Sequence, residues 1–170
     1  MHYMQLPPPP QGRPPSPPVE AGAPAAGAAL PGLVLDTNAA LDWLWFTDPA
    51  MHDVAAAVVA GRCRWWVTDA TCAELDHVLE HGLRPRPGAD RDAVRRAVRS
   101  WGRAAPAPAL PRALRLPCRD PDDQVFVDLA IATRATWLVT RDRALLDLAR
   151  RAAAHGVVIV SPAAWRPTSA

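Results

Sequence analysis

The sequence predicts an α/β fold, a three-layer α/β/α sandwich built on a mostly parallel sheet of four or five strands. Short β-branched runs alternate with longer stretches of helical periodicity from Gly32 onward, the pattern of a sheet with helices on its faces. Trp65 and Trp66 are consecutive in a predicted strand and must point to opposite faces, so both faces need a cover. The chain of 170 residues, 49% of them hydrophobic, can bury the core of one such domain.

The first half of the domain is expected to contain two strands and three helices. Leu-Val-Leu at residues 33–35 forms the first strand, and apolar residues at helical spacing predict helices at 39–46 and 49–60. The run Arg-Trp-Trp-Val-Thr at 64–68 is the second strand. A helix over about 70–81 follows, with Asp69 placed to cap it. Gly61 and Gly82 stand where the second and third helices should end.

The second half is expected to alternate in the same way. A helix is predicted at residues 90–104, and a short strand at 113–116 after a proline-rich turn. Residues 122–134 have helical periodicity, Thr-Trp-Leu-Val-Thr at 136–140 forms a strand, and residues 143–154 form a helix that Gly156 ends. Residues 157–160 form the last strand. The folded domain is therefore expected to span residues 32–170.

Residues 1–31 are expected to be a disordered leader outside this domain. Ten of the 20 prolines of the chain lie between Met1 and Pro31, with almost no large apolar side chain among them. Such a segment cannot offset the entropy lost on ordering. We interpret it as a linker, the alternative being a ligand for a proline-binding groove.

Composition excludes several classes of protein. All 19 basic residues are Arg, so mechanisms that need a lysine, including those of P-loop NTPases and Schiff-base enzymes, are excluded. The three cysteines form no CxxC pair and favour a reduced, cytoplasmic setting. No secretion signal and no run of about 20 apolar residues is present, so a soluble protein without a membrane partner is expected.

Acidic residues follow the predicted strands. Asp36 ends the first strand and Asp142 follows the fourth, while Asp120, Asp122 and Asp123 crowd the loop that opens the helix between them. Because the carboxyl ends of parallel strands meet at one edge of a sheet, where ligands gather, these side chains are expected to converge.

Helix geometry adds a further acid but leaves one choice open. Glu74 lies one turn before Val78 on the apolar side of its helix, which directs the carboxylate toward the sheet. Asp123 aligns with the apolar stripe of the later helix, and Asp122 does so almost as well. Periodicity does not decide between the two.

Four converging carboxylates predict a metal site. They would repel one another strongly without a cation, and oxygen ligands without His or Cys favour Mg²⁺ or Mn²⁺ over zinc. A metal at an open acidic site is the usual apparatus of phosphoryl transfer. The alternative is that acids such as Asp36 and Asp123 only cap helices.

Four segments in order resemble the PIN-domain nucleases, and more narrowly the VapC-like toxins of toxin–antitoxin pairs. These segments are Leu35-Asp36-Thr37-Asn38, Thr71-Cys72-Ala73-Glu74-Leu75, Asp120-Pro121-Asp122-Asp123 and Leu138-Val139-Thr140-Arg141-Asp142, with Val158-Ile159-Val160-Ser161-Pro162 as the closing strand. The resemblance implies a Mg²⁺- or Mn²⁺-dependent endoribonuclease whose metal is held by Asp36, Glu74, Asp123 and Asp142. It assigns supporting roles to Asn38, Thr140 and Asp120.

The same resemblance implies partners. These are an RNA substrate, a cognate antitoxin protein and a second copy of the chain. The rival interpretation is a catalytically silent PIN-fold module that binds RNA or protein without cutting. The leader lies outside the family pattern, and without Lys every contact to an RNA phosphate must come from Arg.

Two further sets of residues each allow two interpretations. Arg91, Arg95 and Arg99 lie on one helical face, where they either grip RNA phosphates or form a solvated face on which Asp92 pairs with Arg96. Trp43 and Trp101 either pack in the core or line a surface for the second copy or the antitoxin.

Overall fold

Five parallel strands form the centre of the domain. The computed structural model describes residues 30–84 and 90–167, so the predicted leader lies outside the described residues except for its last two. The strands are β1 (Gly32–Leu35), β2 (Arg64–Val67), β3 (Gly102–Ala104), β4 (Trp137–Val139) and β5 (Val158–Val160). They are ordered β3-β2-β1-β4-β5, and every neighbouring pair is parallel. The predicted parallel sheet is confirmed.

Helices cover both faces of this sheet. They are α1 (Thr37–Leu44), α2 (His52–Val59), α3 (Asp69–His77), α4 (Arg91–Trp101), α5 (Gln124–Ala132), α6 (Arg143–Leu146) and α7 (Ala149–Ala152). Leu33 and Leu35 of β1 pack into a core cluster with side chains of α1 to α4, whereas Val34 packs into a second cluster with α5 to α7. Because β1 alternates between two apolar layers, the three-layer sandwich is confirmed.

The tryptophans follow this division. Trp65 is buried in the first cluster and Trp66 packs against the second, as their opposite directions on β2 require. The Trp43 ring stacks on Trp101 with ring centroids 5.2 Å apart and lies 5.5 Å from Trp65. Trp43 is buried, so its first role is core packing.

The third strand is not where the sequence indicates. Residues 113–116 form no strand, and Arg112–Leu114 is a turn of 3₁₀ helix. The helix predicted over 90–104 ends at Trp101, and the chain continues as β3 from Gly102. A Cβ on Gly102 would lie 2.6 Å from the Val98 carbonyl oxygen, so the tight exit from α4 into the sheet needs a glycine.

Two helix boundaries also differ from the prediction. Thr68, not Asp69, caps α3, because its hydroxyl accepts from the Thr71 amide while the Thr71 hydroxyl accepts from the Thr68 amide. The helix predicted over 143–154 breaks into α6 and α7, where the Leu148 amide donates to the Leu145 carbonyl in a tighter turn. This turn keeps both leucines in the second core cluster. Gly61 and Gly156 adopt positive φ at helix ends, as expected.

Within residues 30–84 and 90–167, no helix has the length and apolar character that crossing a bilayer requires.

Replacing Leu138 by Ala should lower the free energy of unfolding by about 2–5 kcal/mol. Leu138 is fully buried in β4 and packs in the second cluster, so truncation leaves a cavity between the sheet and the helices that cover this face. Urea denaturation measures the change. Val59→Ala on the half-exposed surface of α2 is the control and should shift stability by no more than about 0.5 kcal/mol. Equal effects of the two substitutions would contradict this description of the core.

Candidate active site

Asp36 is a buried carboxylate at the carboxyl end of β1. Its side chain is only 2% exposed. Oδ1 accepts from the Ala39 amide at 2.6 Å, which caps α1, and Oδ2 accepts from the Thr140 hydroxyl after β4. The pKa of Asp36 is raised to about 6, because burial outweighs the two hydrogen bonds that lower it, and the charges of Asp142 and Asp42 act in the same direction as burial. The hydrogen bonds thus fix the direction of the carboxylate, and the raised pKa favours its protonated form.

Asp142 lies beside it, positioned by the same threonine. The Asp142 amide donates to the Thr140 hydroxyl at 2.8 Å. Its Oδ1 accepts from the Ala144 and Leu145 amides at 2.6 and 3.3 Å, which caps α6. Thr140 is fully buried, so one hydroxyl orients both acids across neighbouring strands.

Asp123 brings a third carboxylate to this point. It precedes α5 but makes no capping hydrogen bond, so capping does not explain its position. The pKa of Asp123 is raised to about 7, chiefly by loss of solvent and then by repulsion from Asp142, Asp120 and Asp36, in that order. A side-chain hydrogen bond with Asp142 also favours the protonated form. Asp122 is exposed, and its amide donates to Asp120, so the two neighbouring acids occupy different environments.

Capping therefore accounts for only part of the acidic set. Asp36 and Asp142 each use one oxygen to cap a helix while their charges lie within reach of Asp123. Asp120 is exposed and acts on Asp123 through its charge. The structure thus brings together the predicted acids that follow β1, open α5 and follow β4.

Glu74 and Asn38 are less closely joined to this group. Glu74 is half-buried on α3, a helix that packs against α1 and α5. Among the described residues, it is not one of the charges that act on Asp36 or Asp123. Asn38 is exposed on α1, and in the described part of the chain its side chain makes no hydrogen bond.

The chemistry of these donors fits a hard divalent cation. In the described ranges, no three or more His, Cys, Asp or Glu side chains are arranged as a metal site. Asp36, Asp123 and Asp142 nevertheless supply oxygen donors alone, and their mutual repulsion is what a cation would relieve. Mg²⁺ and Mn²⁺ prefer such ligands.

An open pocket of about 460 Å³ lies beside the acids. It is lined by Asp120 and Asp142 together with Arg119, Arg141 and Arg143. Arg141 is neutralised within the chain, because its guanidinium pairs with Asp42 at 2.8 Å and Asp48 at 2.6 Å. Sequence reasoning missed these pairs, which join positions more than 90 residues apart and leave no local signal.

The arginine face of α4 is largely occupied. Arg95 binds the carboxylates of Asp76, Glu80 and Asp92 at 2.8, 2.5 and 2.9 Å. The Arg91 Nε donates to the Leu79 carbonyl at 2.6 Å. These contacts hold α4 against α3 and the turn that follows it, so two of the three arginines in this row have intramolecular roles.

The expected pairing of Asp92 with Arg96 is not formed. Arg96 pairs instead with Asp90 at 2.8 Å, and Asp92 pairs with Arg95 one position earlier. Asp92 thus pairs at the i,i+3 spacing rather than at i,i+4, with an arginine that also binds Asp76 of α3 and Glu80 of the turn after α3.

Residues 32–144 match the model of the PIN domain family, and the chain belongs to that family. Its fold is similar to that of a chain in the crystal structure of VapBC2 from Rickettsia felis bound to a DNA fragment from their promoter. The TM-score is 0.54 and the sequence identity 16%, over 76% of this chain and 98% of the other. No curated protein sequence matches the chain significantly.

Without metal, in EDTA, wild-type stability should contain a component that falls as pH rises from about 4 to 7. A carboxyl whose pKa is raised in the folded state binds protons there more tightly than in the unfolded chain, so this component is full below about pH 4 and is lost through pH 6–7. Asp123→Asn should remove the part of this dependence that belongs to Asp123 and leave the part that belongs to Asp36, whose pKa is raised chiefly by burial. Urea denaturation at several pH values measures the difference.

Asp122→Asn is the matched control, because Asp122 is exposed beside the same loop. It should leave the pH dependence as in wild type. If the Asp123→Asn curve also parallels wild type, Asp123 does not lie among repelling carboxylates.

Proposed function

We propose that this chain is a Mg²⁺- or Mn²⁺-dependent endoribonuclease in which Asp36, Glu74, Asp123 and Asp142 hold the metal. The observation that carries the proposal is Asp123. It is a half-buried carboxylate that caps no helix and whose charged neighbours are three other aspartates. Keeping this carboxylate charged in the folded domain costs free energy. A cation-binding role explains why the domain retains it.

Each residue has a separate part in this proposal. The bound cation would polarise the phosphate and lower the pKa of the attacking water. Asp36 offers a fixed direction, because hydrogen bonds hold both of its oxygens. Asp142 keeps Oδ1 on the α6 amides, and Thr140 orients Asp36 and Asp142 together.

The other predicted residues are assigned around these three. Asp123 is free of capping bonds and can turn toward the metal. Glu74 would complete the set from α3, while Asp120 and Asn38 would act from the exposed rim. Glu74 therefore carries the least geometric support of the four.

We further propose that the chain is the toxin of a toxin–antitoxin pair, working in the cytoplasm as a homodimer with a cognate antitoxin. Membership of the PIN domain family and the similarity of fold to VapBC2 support this role. The catalytically silent binding module is the alternative, and an RNA cleavage assay separates the two.

Asp36→Asn, Asp123→Asn and Asp142→Asn should each lower metal-dependent cleavage of single-stranded RNA by at least about two orders of magnitude, the scale for removing one preorganised electrostatic group. Asp122→Asn should keep activity within a few-fold of wild type, because that side chain is exposed and outside the cluster. Rates are measured with a labelled oligonucleotide in Mn²⁺ and in Mg²⁺, and circular dichroism checks the fold. Equal losses at positions 122 and 123 would refute the assignment.

Metal should also stabilise the protein without RNA. At a free metal concentration 100 times the dissociation constant, linkage adds about 2.7 kcal/mol, or roughly 5–10 °C in Tm for a domain of this size. Thermal melts compare EDTA with Mn²⁺ or Mg²⁺ at constant ionic strength. Asp123→Asn should melt higher than wild type in EDTA, since repulsion is relieved, and should respond less to metal. A wild type indifferent to both metals would contradict the site.

A further inference from the structure

We propose that Arg119 and Arg143 bind RNA phosphates on either side of the acidic cluster and hold the strand over it. This inference rests on the proposed function and assigns the substrate-binding groups of the same site. The two arginines are neighbours of the acids along the chain. Arg119 directly precedes Asp120, and Arg143 directly follows Asp142 at the start of α6.

Both arginines line one pocket. Arg119 and Arg143 are exposed, and they line the pocket of about 460 Å³ that also contains Asp120 and Asp142. Cationic and anionic side chains therefore share an opening large enough for a nucleotide phosphate. A phosphodiester seated there would meet positive charge next to the acids.

The pairing of the arginines separates these two from the third arginine of the pocket. Within residues 30–84 and 90–167, Arg141 is bound by two carboxylates, whereas neither Arg119 nor Arg143 forms an ion pair. Their acidic neighbours are engaged elsewhere, since Asp142 accepts from helix amides and Asp120 accepts from the Asp122 amide. The donors of Arg119 and Arg143 thus remain available to an outside anion, and an arginine can bind a phosphate through two parallel hydrogen bonds.

Electrostatics favours such groups at this place. A cluster of carboxylates repels a polyanion, so positive charge on the approach promotes the arrival of an RNA strand. Two of the three arginines in the row on α4 are engaged within the chain, because Arg95 is held by three carboxylates and Arg91 binds the Leu79 carbonyl and lies 3.9 Å from Glu80. The pocket arginines supply the missing charge.

The test replaces Arg119 and Arg143 by Gln, singly and together, in the full chain. Arg62→Gln is the matched control. Arg62 is exposed and precedes β2, at the amino ends of the parallel strands and so at the edge opposite the acids. Binding of a fluorescein-labelled single-stranded RNA is measured in EDTA at several salt concentrations, and cleavage kinetics are measured in Mn²⁺.

Each pocket substitution should raise KM by about tenfold and leave kcat within a few-fold, because a phosphate contact made before the reaction supports binding rather than chemistry. The slope of log K against log salt should flatten by about 0.7 for each arginine removed. Arg62→Gln should match wild type in KM and slope, and melting temperatures should not change.

Other outcomes separate this inference from the proposed function. If RNA is cut and neither KM nor the salt slope responds to the pocket substitutions, the arginine assignment is wrong and the nuclease stands. If kcat alone falls, the arginines do not bind phosphate before the reaction, which also overturns the assignment. If RNA binds with an arginine-dependent slope but no preparation cuts it, the phosphate site stands and the nuclease fails.

Discussion

One buried hydroxyl joins the two central strands at the edge where the acids gather. Thr140 donates to Asp36 at the end of β1 and accepts from the amide of Asp142 after β4. A carboxylate as buried as Asp36 is tolerated only with hydrogen bonds, and the Ala39 amide provides the second. The relative position of two acids thus depends on β1 and β4 being parallel neighbours, and the rest of the site is arranged around this pair.

The acidic cluster lowers the stability of the folded domain, and packing elsewhere in the domain must offset that loss of free energy. Burial and mutual repulsion raise the pKa values of Asp36 and Asp123, so at neutral pH their charge opposes folding. The apolar core packs against β1, the strand that Asp36 follows. Leu33 and Val34, on the two faces of β1, are both fully buried in separate apolar clusters. Because β1 packs on both of its faces, it keeps its position although repelling carboxylates lie at its end.

The sequence predicted what local pattern and parallel topology determine, and missed what depends on distant contacts. The alternation of β-branched runs with helical stretches predicted the strands. The consecutive tryptophans of β2 predicted that both faces of the sheet are covered. The third strand was missed because helical periodicity continues up to Trp101, where α4 gives way to β3 at Gly102. The lack of room for a Cβ at Gly102, beside the Val98 carbonyl oxygen, is not visible in the sequence. Asp122 and Asp123 share one helical stripe, and only the docking of α5 exposes the first and half-buries the second. The pairs of Arg141 with Asp42 and Asp48 likewise have no local signal.

Sheet order explains why the acids and the unpaired arginines share one opening. From β1 the chain adds β2 and β3 on one side, then crosses to add β4 and β5 on the other. Connections leaving β1 and β4 therefore diverge, and a crevice opens between their carboxyl ends, as at other topological switch points of parallel sheets. Asp36 and Asp142 follow these two strands, and Arg119 and Arg143, the latter at the start of α6, line the pocket that contains Asp142. Since the strand order sets both the convergence of negative charge and the gap above it, basic residues at this rim can meet a polyanion that the acids alone would repel.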